Sequence, residues 1–353
     1  MSPVTLFPPH YIHAVGDREF ERHPVGTGPF KFTRWIKGQE LVLEKNVNYW
    51  RAGLPRIDKI IFKFADARKR VNMLLGGELD MITSFEAADL RRIEAHGFKT
   101  LKEPTFAVMS INFNLRKAKG PFQDVLVRRA ANFAVDKETL IEKVKLGYGI
   151  PRATLGMPGE FGYNPYIKPY PYDPGKAREL LRKAGYPHGF KAIALIDDID
   201  GGAEGSLGQE LKRQLAGVGI DLTVEGGNGS TRVAGTRINR TLPMFDGDIF
   251  ARTCPDPLGH IVFVEGMVWY ESDSPWSLLK SPEFDQLYSQ IISTINPRKQ
   301  NDLCHALEQM IHEECFSLFS YQEVKLYAMT NRITYSPYIA GMLFLKELIM
   351  SQE

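Results

Sequence analysis

Three consecutive stretches limit the fold of this chain more than any others: "FKAIALI" (190–196), "SLGQELKRQLAGVG" (206–219) and "IDLTVE" (220–225). The first and third are short runs of β-formers. The middle one sets Leu207, Leu211 and Leu215 at i, i+4 and i+8, an apolar stripe along one helix face. Strand, helix and strand in so short a span is the signature of α/β layers. The alternation recurs elsewhere. "IDKIIFKF" (57–64) reads as a strand, "ADARKRVNMLLGG" (65–77) as a helix stopped by Gly76-Gly77, and "ELDMIT" (78–83) as a short buried strand. "TFAVMSINFNL" (105–115) is strongly β, and two helices follow, separated near Asp136. "YDPGKARELLRKAG" (172–185) has Asp173 as N-cap, Pro174 at N1 and Gly185 after the last turn. Two further helices meet at Asn296-Pro297, and "FSLFSYQEVKLYAM" (316–329) is again a strand.

"HPVGTGPFKF" (23–32) raises the question of a phosphate cradle. A Walker loop needs two glycines separated by four residues, then Lys-Ser/Thr and a helix. Gly26 and Gly28 are closer than that, and a strand pattern of Phe30, Phe32 and Trp35 follows. The stretch reads as a rigid turn, with glycines free to take positive φ and Pro29 fixing its own. Leu41 and Leu43 supply the alternating partner for a hairpin.

Charge removes some function classes. With 44 basic and 42 acidic residues the net charge is +2, so there is no basic field for nucleic acid. No apolar run reaches the length of a membrane span, and the first residues are not a signal peptide. Either the mature protein is cytoplasmic or a leader has been removed. Cys254, Cys304 and Cys315 are too few for a disulfide framework; a pair between Cys304 and Cys315 stays open beside the reading of isolated thiols.

"HPVGTGPFKFTRW", "NVNYWRAGLPRIDKIIFKF", "LLGGELDMI", "INFNLRKAKGPFQDVLVRRAANFAVDKETLI" and "YDPGKARELLRKAGYPHGF" stand in that order along the chain. Together they resemble the extracellular solute-binding proteins of peptide and nickel ABC importers, family 5. The resemblance implies a periplasmic-binding-protein-like α/β fold of the cluster C type, two lobes joined by a two-strand hinge, with ligand held between them. It implies binding without chemistry, no cofactor, a small-molecule or peptide ligand, and delivery to an ABC permease at the membrane. By the same resemblance the hinge crossings fall near 110–114 and 320–323. Residues 1–109 and 323–353 then share the first lobe, and 115–319 form the second. The place implied is periplasmic or extracellular, or cytoplasmic if the short form is natural. Family members ordinarily carry a large amino-terminal portion before the point where this sequence begins. The expectation is therefore an incomplete first lobe, a bare sheet edge and a tendency to dimerise through it.

Peptide-binding relatives carry a pattern like Trp-x-Ala-Asp-Tyr-x-Asp-Pro, whose first aspartate pairs with the ligand's α-amino group. The counterpart here is "IFARTCPDPLGHI" (249–261), with Asp256-Pro257 retained. Phe250 takes the tryptophan position, Arg252 the alanine and Thr253 the aspartate. A hydroxyl compensates a buried ammonium poorly, whereas an Arg fork suits carboxylate or phosphate. The resemblance implies a ligand site built from Phe250, Arg252, Thr253, Cys254, Asn112, Phe319 and Tyr321. The plainer readings are a solvated Arg252 or one paired with Asp248, and a core Phe250. Cys254 and His260 are separated by prolines that fix no nucleophile-base geometry. His260 alone is a weak metal ligand. Trp269, Tyr270 and Trp276 suit a cleft wall or packing on their own lobe, and Asp256 a turn or cap. Two alternatives stand beside the importer: a ligand-sensing module of a regulator, and a binder of nickel or a metal chelate.

Overall fold

The structure is a computed structural model that describes residues 8–83, 85–115, 119–197, 206–227, 249–255, 281–337 and 343–351. The chain divides into two compact units: unit 1 is Met1–Glu103 with Lys325–Glu353, and unit 2 is Pro104–Val324. The crossings expected at 110–114 and 320–323 thus both lie inside unit 2.

Unit 1 opens with two short helices, α1 (Pro9–Val15) and α2 (Asp17–Arg22), and an antiparallel three-stranded sheet, β1 (Phe30–Ile36), β2 (Glu40–Lys45) and β3 (Lys59–Lys63), in that order. The GTGPF stretch is the turn into β1, but neither glycine takes positive φ. Asn46 holds it instead: its side-chain amide donates to the Gly28 carbonyl at 2.9 Å and its backbone N–H to that of Pro29 at 2.9 Å. Helix α3 (Ala67–Leu75), strand β4 (Met81–Thr83) and helix α4 (Leu90–Ala95) follow, packed through Val71, Leu74, Ile82 and Ile93.

The long strand β5 (Lys99–Phe113) runs from unit 1 into unit 2. Unit 2 continues with α5 (Val125–Ala134), α6 (Lys137–Lys145), β6 (Gly149–Pro151), α7 (Pro174–Lys183), β7 (Phe190–Asp197), α8 (Ser206–Ala216), β8 (Ile220–Gly227), β9 (Ile249–Pro255), α9 (Pro282–Ser293) and α10 (Pro297–Glu313). Strand β10 (Ser317–Met329) returns the chain to unit 1, where β11 (Ile333–Thr334) and β12 (Ile349–Met350) pair. Within unit 1 the last residues of β10, Tyr327–Met329, pair antiparallel with β4.

In unit 2 the strands lie in the order β10-β5-β9-β7-β8, with β6 on the outer side of β10. β7 is parallel to both β8 and β9, while β9 is antiparallel to β5. The β7-α8-β8 unit is the one read from sequence, and Leu207, Leu211 and Leu215 are all buried. Two glycines set the start of the parallel pair. A Cβ on Gly189 would overlap the Gly219 carbonyl, so the chain closes there only with glycine. One apolar cluster packs Met109, Ile111 and Phe113 against α5, α6, α7 and α8. A second joins Val108, Met157 and Phe319 to α9 and α10. Cys304 and Cys315 are free and buried, which resolves the pairing left open by sequence.

Candidate functional site

All four β9 residues singled out by sequence sit on β5. Phe250 is opposite Asn112, Arg252 opposite Ser110, Thr253 opposite Met109 and Cys254 opposite Val108. Opposed residues of an antiparallel pair share a face, and successive positions alternate. Positions 250, 252 and 254 therefore share the face of Asn112 and Ser110. Position 253 lies on the other face, with Met109 and Ile111 of the helix-packed core.

On that first face Ser110 and Asn112 form a polar row, while Val108, opposite Cys254, packs in the second apolar cluster. Ser317 on β10 donates to Asn112 Oδ1 at 2.6 Å, and Asn112 Nδ2 donates to Ser110 Oγ at 3.1 Å. Ser110 and Asn112 are wholly buried. Further bonds tie β10 to β5: Ser320 Oγ donates to the Met109 carbonyl at 2.6 Å, Gln322 Nε2 to the Thr105 carbonyl at 2.7 Å, and Thr105 Oγ1 to the Glu323 carbonyl at 3.2 Å. The sequence carries no local sign of this seam, because its partners lie some two hundred positions apart. Phe319 and Tyr321, expected to contact ligand, are buried in the second and first apolar clusters of unit 2 respectively. Lys145 stands over the Tyr321 ring, 5.8 Å from its centroid.

Two other polar groupings escape sequence reasoning. Glu308 of α10 is fully buried and accepts from Thr154 Oγ1 at 2.6 Å, Gly156 N at 3.1 Å and Asn164 N at 2.7 Å. Burial pushes its carboxyl above the usual range, against those hydrogen bonds and the nearby Arg152. The arrangement pins the segment 154–164 to α10. The other grouping surrounds the end of α10. Arg128 and Arg129 donate to the Glu314 and Glu313 carbonyls, and the Tyr170 hydroxyl donates to that of His312 at 3.1 Å, so the helix terminus is satisfied by cations and a hydroxyl. Cys315 donates its thiol to Tyr170 at 3.3 Å, and burial pushes that thiol up, away from nucleophile chemistry. Lys137 is buried beside it, and desolvation lowers its amine to about 8. These are packing devices. No described cluster pairs a base with an activated nucleophile.

The chain matches the family model of bacterial extracellular solute-binding proteins, family 5 Middle, over residues 2–261. It belongs to that family. Among curated proteins, this family 5 chain is 30% identical over 323 residues to the glutathione-binding protein GsiB of Pectobacterium atrosepticum, covering 88% of this chain and 58% of GsiB. The chain thus spans a little over half the length of that relative. Among solved structures it is similar to the periplasmic binding protein DppA of Helicobacter pylori in complex with peptide STSA. That match has a TM-score of 0.80 and 21% identity, over 98% of this chain and 68% of the other. NikA of Brucella suis in complex with Fe(III)-EDTA gives a TM-score of 0.80 and 23% identity, over 93% and 69%. These two fix the fold as periplasmic-binding-protein-like α/β.

Asp248, Asp256, Pro257, His260, Trp269, Tyr270 and Trp276 lie outside the described residues. Among the described residues, no three His, Cys, Asp or Glu side chains converge as a metal site. No described helix is long and apolar enough to cross a membrane.

Proposed function

We propose that this chain is the solute-binding part of an ABC importer. It captures a peptide or peptide-sized solute outside the cytoplasm and presents it to a membrane permease. Membership of the extracellular family 5 carries the reading. A glutathione-binding relative and a peptide-bound structural neighbour support that ligand class. Binding is without turnover. Mass spectrometry of small molecules released from natively purified protein tests this reading. A retained peptide or peptide-like solute is the expected result; a preparation that binds none of a panel of peptides, glutathione and metal chelates by calorimetry overturns it. So does hydrolysis of peptides or esters that stops in Cys254→Ala or His260→Ala.

Within that site the ligand charge is read from β9. Thr253 stands where amine-binding relatives place an aspartate, and Arg252 is its neighbour. The proposed ligand therefore offers an anionic group to Arg252 rather than a free α-amine. One charge-assisted contact is worth about 1.5–3 kcal/mol, or about tenfold to a hundredfold in affinity. Calorimetry should show a loss of that size in Arg252→Ala. Tight binding of a cationic peptide, unchanged in the variant, sinks the charge assignment. Self-association is assigned to the short edge strand β4, and light scattering checks it: a monomer at all concentrations removes it.

A further inference from the structure

Helix α10 packs through two stripes of side chains. Cys304, Leu307 and Ile311 enter the second apolar cluster. Asn301, His305, Glu308 and His312, at i, i+4, i+7 and i+11, form a polar stripe. Each of these four bonds a backbone group of the irregular segment beside the helix. Asn301 Oδ1 accepts from Gly162 N at 3.1 Å, and His305 Nε2 donates to the Tyr163 carbonyl at 3.0 Å. Glu308 accepts from Asn164 N, and His312 Nε2 donates to the Lys168 carbonyl at 3.0 Å. From Pro165 to Pro169, only Ile167 is buried.

The far end of this segment is held where positive charge collects. The His312 ring lies flat on that of Tyr170, with centroids 4.5 Å apart, and Phe133 of α5 meets Tyr170 edge-on. Lys137 of α6 donates to the Tyr170 carbonyl at 3.3 Å, and the Cys315 thiol donates to the Tyr170 hydroxyl. The charged groups facing His312 are Lys137, Arg129 of α5 and, on its own helix, the exposed Glu313. The Lys168 ammonium turns to the Pro165 carbonyl instead. A helix C-terminus ordinarily favours a protonated histidine. Here Arg128, Arg129 and the Tyr170 hydroxyl already occupy the last carbonyls of α10, so the terminus has little left to offer. Because Nε2 donates to Lys168, a second proton would go to Nδ1, and its charge would sit half-buried beside Lys137 and Arg129. Burial, then Lys137 and Arg129, hold this imidazole below its usual range, against the Lys168 bond and Glu313.

The two ends of the segment therefore answer pH with opposite signs. A group whose pKa is lower in the folded state stabilises it above the unfolded value, 6.5 for His312, and that contribution is lost as pH falls below 6.5. Lys137, with its amine at about 8, is already charged there. Glu308 runs the other way. Its raised carboxyl binds a proton more readily folded than unfolded, so falling pH does not weaken its end.

We infer that residues 165–170 are a strap released by acid, with His312 as the latch, while 154–164 stays pinned by Glu308. When His312 takes a proton, charge builds against Lys137 and Arg129. The helices are fixed through their apolar sides, α10 by Leu307 and Ile311 and α6 by Leu140 and Ile141. The strap has little apolar anchorage and yields first. Its departure lifts Tyr170 off His312 and lets both cations reach water.

Spin-label mobility on the full chain without ligand tests this independently of the solute-binding reading. One label goes on Tyr166→Cys, at a position 85% exposed, and a control label on the exposed Pro158→Cys, each in a Cys254→Ser background. Cys304 and Cys315 are buried and do not compete. Between pH 7.5 and pH 5 the mobile fraction at 166 should rise about fivefold or more, with no comparable rise at 158. His312→Gln keeps an amide donor for the Lys168 carbonyl but takes no proton, so the rise should disappear. Lys137→Met removes the facing cation, so the mobile fraction at pH 5 should fall. A mobility at 166 that ignores pH, an equal rise at 158, or an undiminished rise in either variant overturns the inference.

Discussion

Glu308 shows how one buried side chain can organise a long irregular segment. Its carboxylate takes three donors from 154–164, and the chain passes so close that a Cβ on Gly156 would lie 2.8 Å from Glu308 Cδ and overlap its oxygen. Glu308→Gln keeps one acceptor oxygen but turns an amide toward the Asn164 N–H, leaving a buried donor unpaired. Chemical denaturation should show a loss of about 1–3 kcal/mol. Gly156→Ala should cost at least as much, since the overlap is with a pinned group. Lys137 makes the opposite case. Desolvation lowers its amine from 10.5 to about 8, so the folded state binds its proton less readily than the unfolded chain. Its contribution is therefore present at high pH and is lost as pH falls through about 8. Lys137→Met should raise stability at pH 7 by about 1–3 kcal/mol. The gain should shrink as pH approaches the ordinary lysine range; denaturation midpoints at pH 7 and 10 check the sign.

Elements were the most legible level. Asp173 accepts from Lys176 N at 2.8 Å, so the cap read from sequence is in place; Asp136 and Asn296, read only as helix junctions, also cap their helices, accepting from Thr139 N at 3.0 Å and from Arg298 N and Lys299 N. Asp173→Ala should lower stability by about 1 kcal/mol, and Asp173→Asn by much less, in the same denaturation assay. Caps are legible because donor and acceptor are within three residues. Register is not, because it joins distant segments. Nothing near Asn112 announces that Ser317 completes its hydrogen bonding, and nothing near Phe319 or Tyr321 announces that helices bury them. The β9 segment was found only through its Asp-Pro resemblance; its pairing with β5, opposite Ser110 and Asn112, came from the fold. The turn before β1 was located correctly but for an incomplete reason, since Asn46 rather than a left-handed glycine fixes it.

At the scale of the molecule, the two units differ in how much they bury. Among the described residues, unit 2 holds two large apolar clusters, whereas unit 1 gathers a smaller one around Tyr327 and Tyr335 and packs α3, β4 and α4 through Val71, Leu74, Ile82 and Ile93. Stability follows apolar burial, so unit 2 should open last. Hydrogen exchange should show α5 and α8 protected to a higher denaturant concentration than α3 and α4. A single cooperative loss across both units would contradict this. The alternation of strands and helices was enough to name the fold class from sequence. The division into units was not, because it depends on which contacts β5 and β10 make at each point along their length.

The burial of Cys304 and Cys315 has a practical corollary. Both thiols lie in unit 2 and are at most 1% exposed. A maleimide in solution can reach them only during an opening event. With Cys254 replaced by serine, each such event adds a known mass to the intact chain. When closing outpaces alkylation, the labelling rate reports the population of open unit 2 directly. The chain thus carries its own pair of clocks for breathing, wound by two buried sulfur atoms.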